Sequence, residues 1–242
     1  MRLNEREQME SHLQELVKRL HSAAGDNLHS VVLYGSAASS NFHENFSDVN
    51  ILCLLRELSA SSLLTLSDTV EWWKKQKQAL PLFLTIDELT QAADTFPIEL
   101  LDMRTHHRVL YGADLIANLE VPLRLHRTQV EHELRTKLIL LRQNFVTRSS
   151  EATGVCKLML DSISSFMTLF RHSLIAMGEE PEPGQRPLLQ QLQRKLNLDT
   201  RPFRELLNIR EGSVKPDALD AATMFSVYLK TIEQVISEVD RL

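Results

Sequence analysis

The chain has 242 residues, of which only 7 are glycine and 8 are proline, and its formal net charge is -5. Because residues that break helices are scarce, we expect a mostly helical protein, and a glycine-rich or low-complexity chain is excluded. The near balance of 27 basic and 32 acidic residues excludes the strongly basic composition of a general nucleic-acid-binding protein.

Two features predict a cytoplasmic protein. Cys53 and Cys156 are the only cysteines and lie far apart in the sequence, which argues against a disulfide framework and against a zinc site. The charged N-terminal segment has no apolar signal core, and no run of about 18 apolar residues occurs, so neither secretion nor a membrane partner is expected.

The first half of the chain mixes helical and strand patterns. The predicted strands are apolar or β-branched runs, and the predicted helices have apolar residues at helical spacing. Strands are expected over residues 31–34, 49–55 and 80–84, and helices over residues 4–23 and 60–78 and in segments that begin at Thr85 and at Pro97. Thr85 and Glu88 have the spacing of a capping box. An apolar run over residues 109–112 ends in a turn, and His106 and His107 before it are interpreted as neighbours on a helix.

The second half shows only helical patterns. Helices are predicted over residues 126–148, 155–177, 187–197, 200–210 and 217–241, with Asp217 as the N-cap of the last helix. The sequence therefore predicts an α+β protein, with a mixed-sheet domain over residues 1–121 and a helical-bundle domain over residues 122–242. The leucine-rich second half favours a homodimer.

One stretch, residues 33–55, has the composition of a ligand site. The first predicted strand ends at Gly35-Ser36, and the next strand begins with Asp48 and Asn50. Because side chains alternate along a strand, Asp48 and Asn50 are expected on one face, beside the Gly35-Ser36 turn. Glycine lets the backbone approach a phosphate closely, and exposed N–H groups of the turn together with the Ser36 hydroxyl are suited to bind phosphate oxygens.

This arrangement resembles the DNA polymerase beta-like nucleotidyltransferase superfamily, whose signature is a Gly-Ser turn followed by a strand with Asp-x-Asp. The resemblance covers residues 28–115, and residues 96–115 are similar to the later part of bacterial aminoglycoside-type nucleotidyltransferase domains. In that family the aspartates and a third carboxylate hold two magnesium ions for phosphoryl chemistry. The resemblance implies that the turn at Gly35 binds a nucleoside triphosphate and that Asp48 and Asn50 are the catalytic residues that hold Mg²⁺.

The sequence departs from this pattern at the metal ligands. Asp48 matches the first aspartate, but Asn50 replaces the second, and the third predicted strand has no acidic residue. Asparagine offers a carbonyl oxygen without a charge, which is weak support for two magnesium ions. The first hypothesis is therefore a nucleotide-binding or regulatory module with a nucleotidyltransferase fold, a degenerate metal site and weak or absent catalysis.

Two alternatives stay open. The first is an active Mg²⁺-dependent transferase that moves a nucleotidyl group from a nucleoside triphosphate to a hydroxyl of a small molecule or a protein. In that case Asp87, Glu99 or Asp102 supplies the missing acid. The second alternative is a HEPN-like ribonuclease or a partner-binding protein, because Arg127 and His132 have the spacing of the arginine and histidine in HEPN ribonucleases.

Overall fold

The structure is a computed structural model that describes residues 2–38, 49–148, 151–215 and 220–242. The chain divides into two compact units, Met1–Pro122 and Leu123–Leu242. The first unit combines a sheet with helices, and the regular elements described in the second unit are all helices. The α+β fold class that the sequence predicts is therefore confirmed.

The first unit contains four strands and five α-helices in its described residues. In chain order these are α1 (Arg2–Ala24), β1 (Leu28–Tyr34), β2 (Asn50–Leu55), α2 (Ala60–Thr65), α3 (Ser67–Lys75), β3 (Leu82–Thr85), α4 (Ile86–Gln91), α5 (Pro97–Thr105) and β4 (His107–Gly112). The sheet has the strand order β3-β2-β1-β4, in which β1 is antiparallel to both neighbours and β2 is parallel to β3.

Both faces of the sheet are covered by helices, which explains why the central strands β1 and β2 are apolar along most of their length. One face carries Ile51 and Cys53 and packs against leucines of α1 and Trp73 of α3. The opposite face carries Leu52 and Leu54 and packs against α4 and α5. Successive side chains of β2 thus point to different cores, as the strand period requires.

The structure corrects two predicted elements of the first unit. The predicted helix over residues 60–78 is two helices, α2 and α3, because at Leu66 the backbone N–H bonds to the Leu63 carbonyl only three residues back. The apolar run over residues 109–112 belongs to strand β4, which begins earlier, at His107. The predicted capping box is confirmed, because Thr85 and Glu88 bond each other's backbone N–H at 2.8 and 3.1 Å.

The helices of the second unit are α6 (His126–Arg148), α7 (Ala152–Ala176), α8 (Gln185–Leu196), α9 (Arg201–Arg210) and α10 (Ala221–Asp240). α7 contacts each of the other four. The core of this unit is aromatic where Phe203 stacks on Tyr228 with ring centroids 4.5 Å apart. The buried Tyr228 hydroxyl lies 3.0 Å from Ser162 Oγ, so its polar end is satisfied.

The last helix begins later than the sequence predicts. Its N-cap is Asp220, whose carboxylate accepts a hydrogen bond from the Thr223 backbone N–H, whereas the predicted cap Asp217 lies outside the described residues. Aspartate can accept this bond at either position, so the sequence alone did not determine the start of the helix. Across the ranges that the structure describes, no helix has the length and apolar character needed to cross a membrane.

Candidate functional site

Gly35 begins the turn that follows β1. Its φ is +77°, in the left-handed region that glycine adopts without strain. A Cβ at this position would lie 3.3 Å from Asn50 Nδ2, so the Asn50 side chain packs directly against the glycine. The turn and the start of β2 thus meet, as the sequence predicts.

The backbone N–H of Gly35 donates a hydrogen bond to the carbonyl oxygen of His106 at 2.9 Å. The Gly35 N–H is therefore not among the exposed N–H groups of the turn that could bind a phosphate. Gly35 therefore contributes to the candidate site through its shape and its small size. Any phosphate donors of this turn must come from the residues that follow Gly35 in the 3₁₀ turn Gly35–Ala38.

Three polar side chains form a row across the end of the sheet. Asn50 of β2 pairs with Tyr34 of β1, and Tyr34 pairs in turn with His107 of β4. Directly paired residues of antiparallel strands lie on the same face. The row therefore lies on the face that carries Leu52 and packs against α4 and α5.

The outer end of the row is fixed by a hydrogen-bonded contact between His107 and Asp114. His107 Nε2 lies 3.0 and 3.2 Å from the two carboxylate oxygens of Asp114. Asp114 also accepts hydrogen bonds from the backbone N–H groups of Ile116 and Ala117, at 3.0 Å each. The hydrogen bond from His107 is the main cause that lowers the pKa of Asp114, and the two backbone bonds act in the same direction. The carboxylate is thus ionised and accepts, and His107 donates from Nε2.

The centre of the row has an acidic neighbour. The pKa of Tyr34 is raised by burial and by the negative charge of Glu99 on α5, so Tyr34 is a neutral phenol at neutral pH. Glu99 is itself exposed. Of the acids that the sequence offers as substitutes for the missing carboxylate, Glu99 is thus close enough to the row to interact with it electrostatically.

Asp87 is placed wrongly for a shared metal with Asn50. β3 is parallel to β2, with Leu82 opposite Leu52 and Thr85 opposite Leu55, and Asp87 follows the end of β3. Leu55 is five positions after Asn50 along β2, which is roughly 16 Å at about 3.3 Å per residue. Asp87 therefore lies beyond the opposite end of the sheet, and its predicted role as third ligand or base is corrected.

The remaining predicted ligands are only partly described. Asp48 lies outside the described residues, and of Ser36 the structure describes only the backbone. The β3 residue that neighbours the start of β2 on the same face is the apolar Leu82, so this strand brings no carboxylate to Asn50. Within the described part of the chain, no group of three histidine, cysteine, aspartate or glutamate side chains could hold a metal ion.

Arg127 and His132 lie on the same helix of the second unit. Both lie on α6, and residues five apart on a helix are separated by about 140° around its axis. Arg127 is held by Glu131 at 3.3 Å and by the Val239 carbonyl at 3.2 Å, whereas His132 is exposed. Among the described contacts none joins the Arg127 side chain to His132, so the ribonuclease alternative gains no support from them.

No protein-family model and no curated protein matches the sequence. Among solved structures, spectinomycin adenyltransferase AAD(9) from Enterococcus faecialis, crystallised with ATP and spectinomycin, matches with a TM-score of 0.58 at 12% sequence identity. The match covers 94% of this chain and 98% of that chain. This chain has the nucleotidyltransferase fold. The resemblance that the Gly35 turn and the following strand indicate is thus confirmed at the level of the fold.

A second solved structure, the toxin-antitoxin MntA-HpeT in a mutant form, matches at 14% identity over 42% of this chain and 74% of that chain. Its TM-score of 0.29 is too low to support an argument. The nucleotidyltransferase fold therefore rests on the adenyltransferase and on the geometry described above.

Sequence reasoning missed the polar row beyond Asn50. The sequence predicts only a buried strand at Tyr34 and a helix at His107. The sequence contains only a weak signal for this strand. Burial alternates along His107, Arg108 and Val109, as it does in a strand, but the continuous apolar run that follows does not show at which residue the strand begins. Asp114 has no local pattern that pairs it with a histidine seven residues earlier.

Proposed function

We propose that this protein binds a nucleoside triphosphate at the Gly35 end of its sheet and transfers nucleotidyl groups slowly or not at all. The observation that carries the proposal is the packing of the neutral Asn50 amide against Gly35, at the position where the family has its second aspartate. In this proposal Gly35 and Ser36 form the phosphate turn, and Asp48 and Asn50 are the metal-binding side chains.

The fold supports the choice of ligand. The adenyltransferase that shares the fold was crystallised with ATP, and its match extends over nearly the whole of both chains. Gly35 has the left-handed backbone conformation and no side chain, so a phosphate can approach the backbone of the turn closely. A nucleoside triphosphate is therefore the first ligand to test, and titration with different nucleotides identifies the preferred base.

The donor set suits one magnesium ion better than two. Mg²⁺ is commonly bound through one or two carboxylates together with substrate phosphates. Asp48 and the Asn50 carbonyl oxygen fit an ion that arrives with the triphosphate, and neither β3 nor Asp87 adds a carboxylate. When bound, such an ion would offset phosphate charge, whereas a pair of ions is needed to stabilise both the attacking and the leaving oxygen.

The test is a thermal-shift and calorimetric titration with ATP, GTP and CTP, each with and without Mg²⁺. We expect at least one nucleotide to raise the unfolding temperature, since a ligand at about 100 times its Kd stabilises by about 2.7 kcal/mol. We expect only a small further gain from Mg²⁺. If no nucleotide at millimolar concentration shifts the transition, the proposal is wrong.

Asn50→Asp tests the degenerate metal site. The change restores a carboxylate of nearly the same shape, and we expect Mg²⁺ to strengthen ATP binding by on the order of tenfold more than in the parent protein, because Mg²⁺ prefers carboxylate ligands. Asn118→Asp is the matched control, since Asn118 is exposed in the same unit and the charge change is identical. Equal Mg²⁺ dependence in the two variants would show that Asn50 is not a metal ligand.

The second candidate is an active nucleotidyltransferase, and one observation favours it. The adenyltransferase was crystallised with spectinomycin as well as ATP, and its fold matches 94% of this chain. Release of pyrophosphate from ATP in the presence of hydroxyl-bearing acceptors measures this activity. Turnover by the unaltered protein at the rate of an ordinary enzyme, about 1 per second or faster, that is lost in the Asn50→Ala variant would establish a transferase and overturn the claim of weak catalysis.

A further inference from the structure

His107 is joined to the candidate phosphate turn by the backbone. The carbonyl of His106 accepts the hydrogen bond of the Gly35 N–H, and the next residue, His107, pairs with Tyr34, the residue before Gly35. The imidazole is on the same face of the sheet as Asn50, with Tyr34 between them. A movement of the Gly35 turn and a movement of His107 are therefore coupled through two adjacent contacts.

Asp114 holds the imidazole in one orientation. Its carboxylate is itself fixed by the backbone N–H groups of Ile116 and Ala117, and it engages only the Nε2 atom of His107. Among the described residues Nδ1 has no hydrogen-bond partner, so it is the ring atom available to a ligand, and a histidine whose two ring nitrogens both carry hydrogen donates from each of them. The side chain is only 13% exposed, so the ring is held rather than free to rotate in solvent.

A triphosphate at this end of the sheet needs positive charge, and few cations of the described residues are placed to supply it. Arg108 follows His107 on β4 but lies on the other face, where it binds Glu10 of α1 at 2.8 Å. Arg104 of α5 donates to the Leu119 carbonyl at 3.2 Å. Because Asn50 also adds no negative charge to hold a metal ion, a histidine beside the turn is a candidate to bind the phosphates in place of part of the metal's role.

We propose that His107, oriented by Asp114, binds a phosphate group of the nucleoside triphosphate through Nδ1 and is a binding residue of the Gly35 site. This inference rests on the proposed function, because it names a residue of the same nucleotide site. A purely structural role is the competing explanation, in which the His107–Asp114 contact only ties β4 to the segment after it.

The two explanations differ in what they predict for ligands with and without phosphates. His107→Gln keeps a donor that reaches Asp114 but removes the second ring nitrogen. We expect this variant to bind ATP and inorganic tripolyphosphate on the order of tenfold more weakly, the size of a lost charge-assisted hydrogen bond. Its affinity for adenosine, which has no phosphate, is expected to stay the same.

Arg108→Gln is the matched control. It removes a positive charge from the neighbouring position on the same strand, but on the opposite face. Its ATP affinity is expected to change by less than about twofold, because solvent screens an exposed charge that does not touch the ligand. The unfolding temperature of each variant, measured without ligand, shows that both remain folded.

The outcomes separate the inference from the function on which it rests. If the unaltered protein binds neither ATP nor tripolyphosphate, the proposed function fails and this inference fails with it. If the unaltered protein binds ATP and the His107→Gln variant binds it equally well, only the inference is overturned. If ATP and adenosine affinities fall together, His107 maintains the structure of the site and does not contact phosphate.

Discussion

The conformation of Gly35 depends on the absence of a side chain in two ways. Its φ of +77° is unfavourable for any residue with a Cβ, and the space where that atom would lie is bordered by Asn50 Nδ2 at 3.3 Å. Gly178 has nearly the same φ, +76°, but nothing within 4 Å of the Cβ position. A substitution at Gly178 therefore measures backbone strain alone, whereas the same substitution at Gly35 measures backbone strain together with the contact with Asn50.

Gly35→Ala is expected to lower the free energy of unfolding by more than Gly178→Ala does. The left-handed conformation costs an alanine about 1–2 kcal/mol at either position, and only at Gly35 must a neighbouring side chain also move. Urea unfolding of both variants measures the two losses. Equal losses would mean that Asn50 moves aside freely and that its contact with the turn does not stabilise the site.

At the scale of elements, the α6–α7 pair buries two histidines against each other. His126 Nε2 lies 2.9 Å from His172 Nδ1, and both side chains are almost completely inaccessible. Burial, and then the proximity of His172, lower the pKa of His126 to about 4. A buried imidazole that must stay neutral makes the packing of these helices sensitive to acid.

The stability of the second unit is expected to fall as the pH drops from about 6.5 to about 4. In this window the unfolded chain, in which histidine has a pKa of about 6.5, binds more protons than the folded chain, and above it the contribution of His126 is complete. Urea unfolding at pH 7 and pH 5 measures the loss. One such group contributes about 1.4 kcal/mol per pH unit, hence roughly 2 kcal/mol between these two conditions.

His126→Gln is expected to remove most of this difference between pH 7 and pH 5, because glutamine does not titrate. His132→Gln is the control, since His132 is exposed on the same helix. If the pH dependence of unfolding is the same in the His126→Gln variant and in the parent protein, the buried histidine pair is not its source.

At the scale of the whole molecule, each of the two units has its own hydrophobic core. The cores on either side of the sheet are made of residues from the first unit, and the aromatic cluster around Tyr228 is made of residues from the second. Units of this size bury enough of their surface to be stable alone. The predicted domain boundary near residues 121 and 122 can therefore be tested directly.

Fragments of residues 1–122 and 123–242, expressed separately, are each expected to fold and to unfold cooperatively in urea. The physical reason is that the described side chains of both cores beside the sheet come from residues 1–122, whereas those of the aromatic cluster come from residues 123–242. Near-UV circular dichroism and the steepness of the urea transition measure this. A fragment without a cooperative transition would show that the two parts of the chain fold only as one.

Much of the secondary structure could be predicted from the sequence because it depends on residues that are close together along the chain. The apolar stripe of α1, the capping box of Thr85 and Glu88 and the glycine that follows α7 each depend on residues within a few positions of one another. The proximity of Asn50 to Gly35 was also predictable, because the turn and the next strand follow each other along the chain.

The sequence by itself determined most of the helices, the central strands, the α+β class and the resemblance to nucleotidyltransferases. Only the tertiary structure decided that β3 runs parallel to β2, which places Asp87 beyond the wrong end of the sheet, and that His107 begins β4 beside the Gly35 turn. Strand order and register are set by contacts between residues distant in sequence, such as Tyr34 and His107, and no local pattern records such contacts.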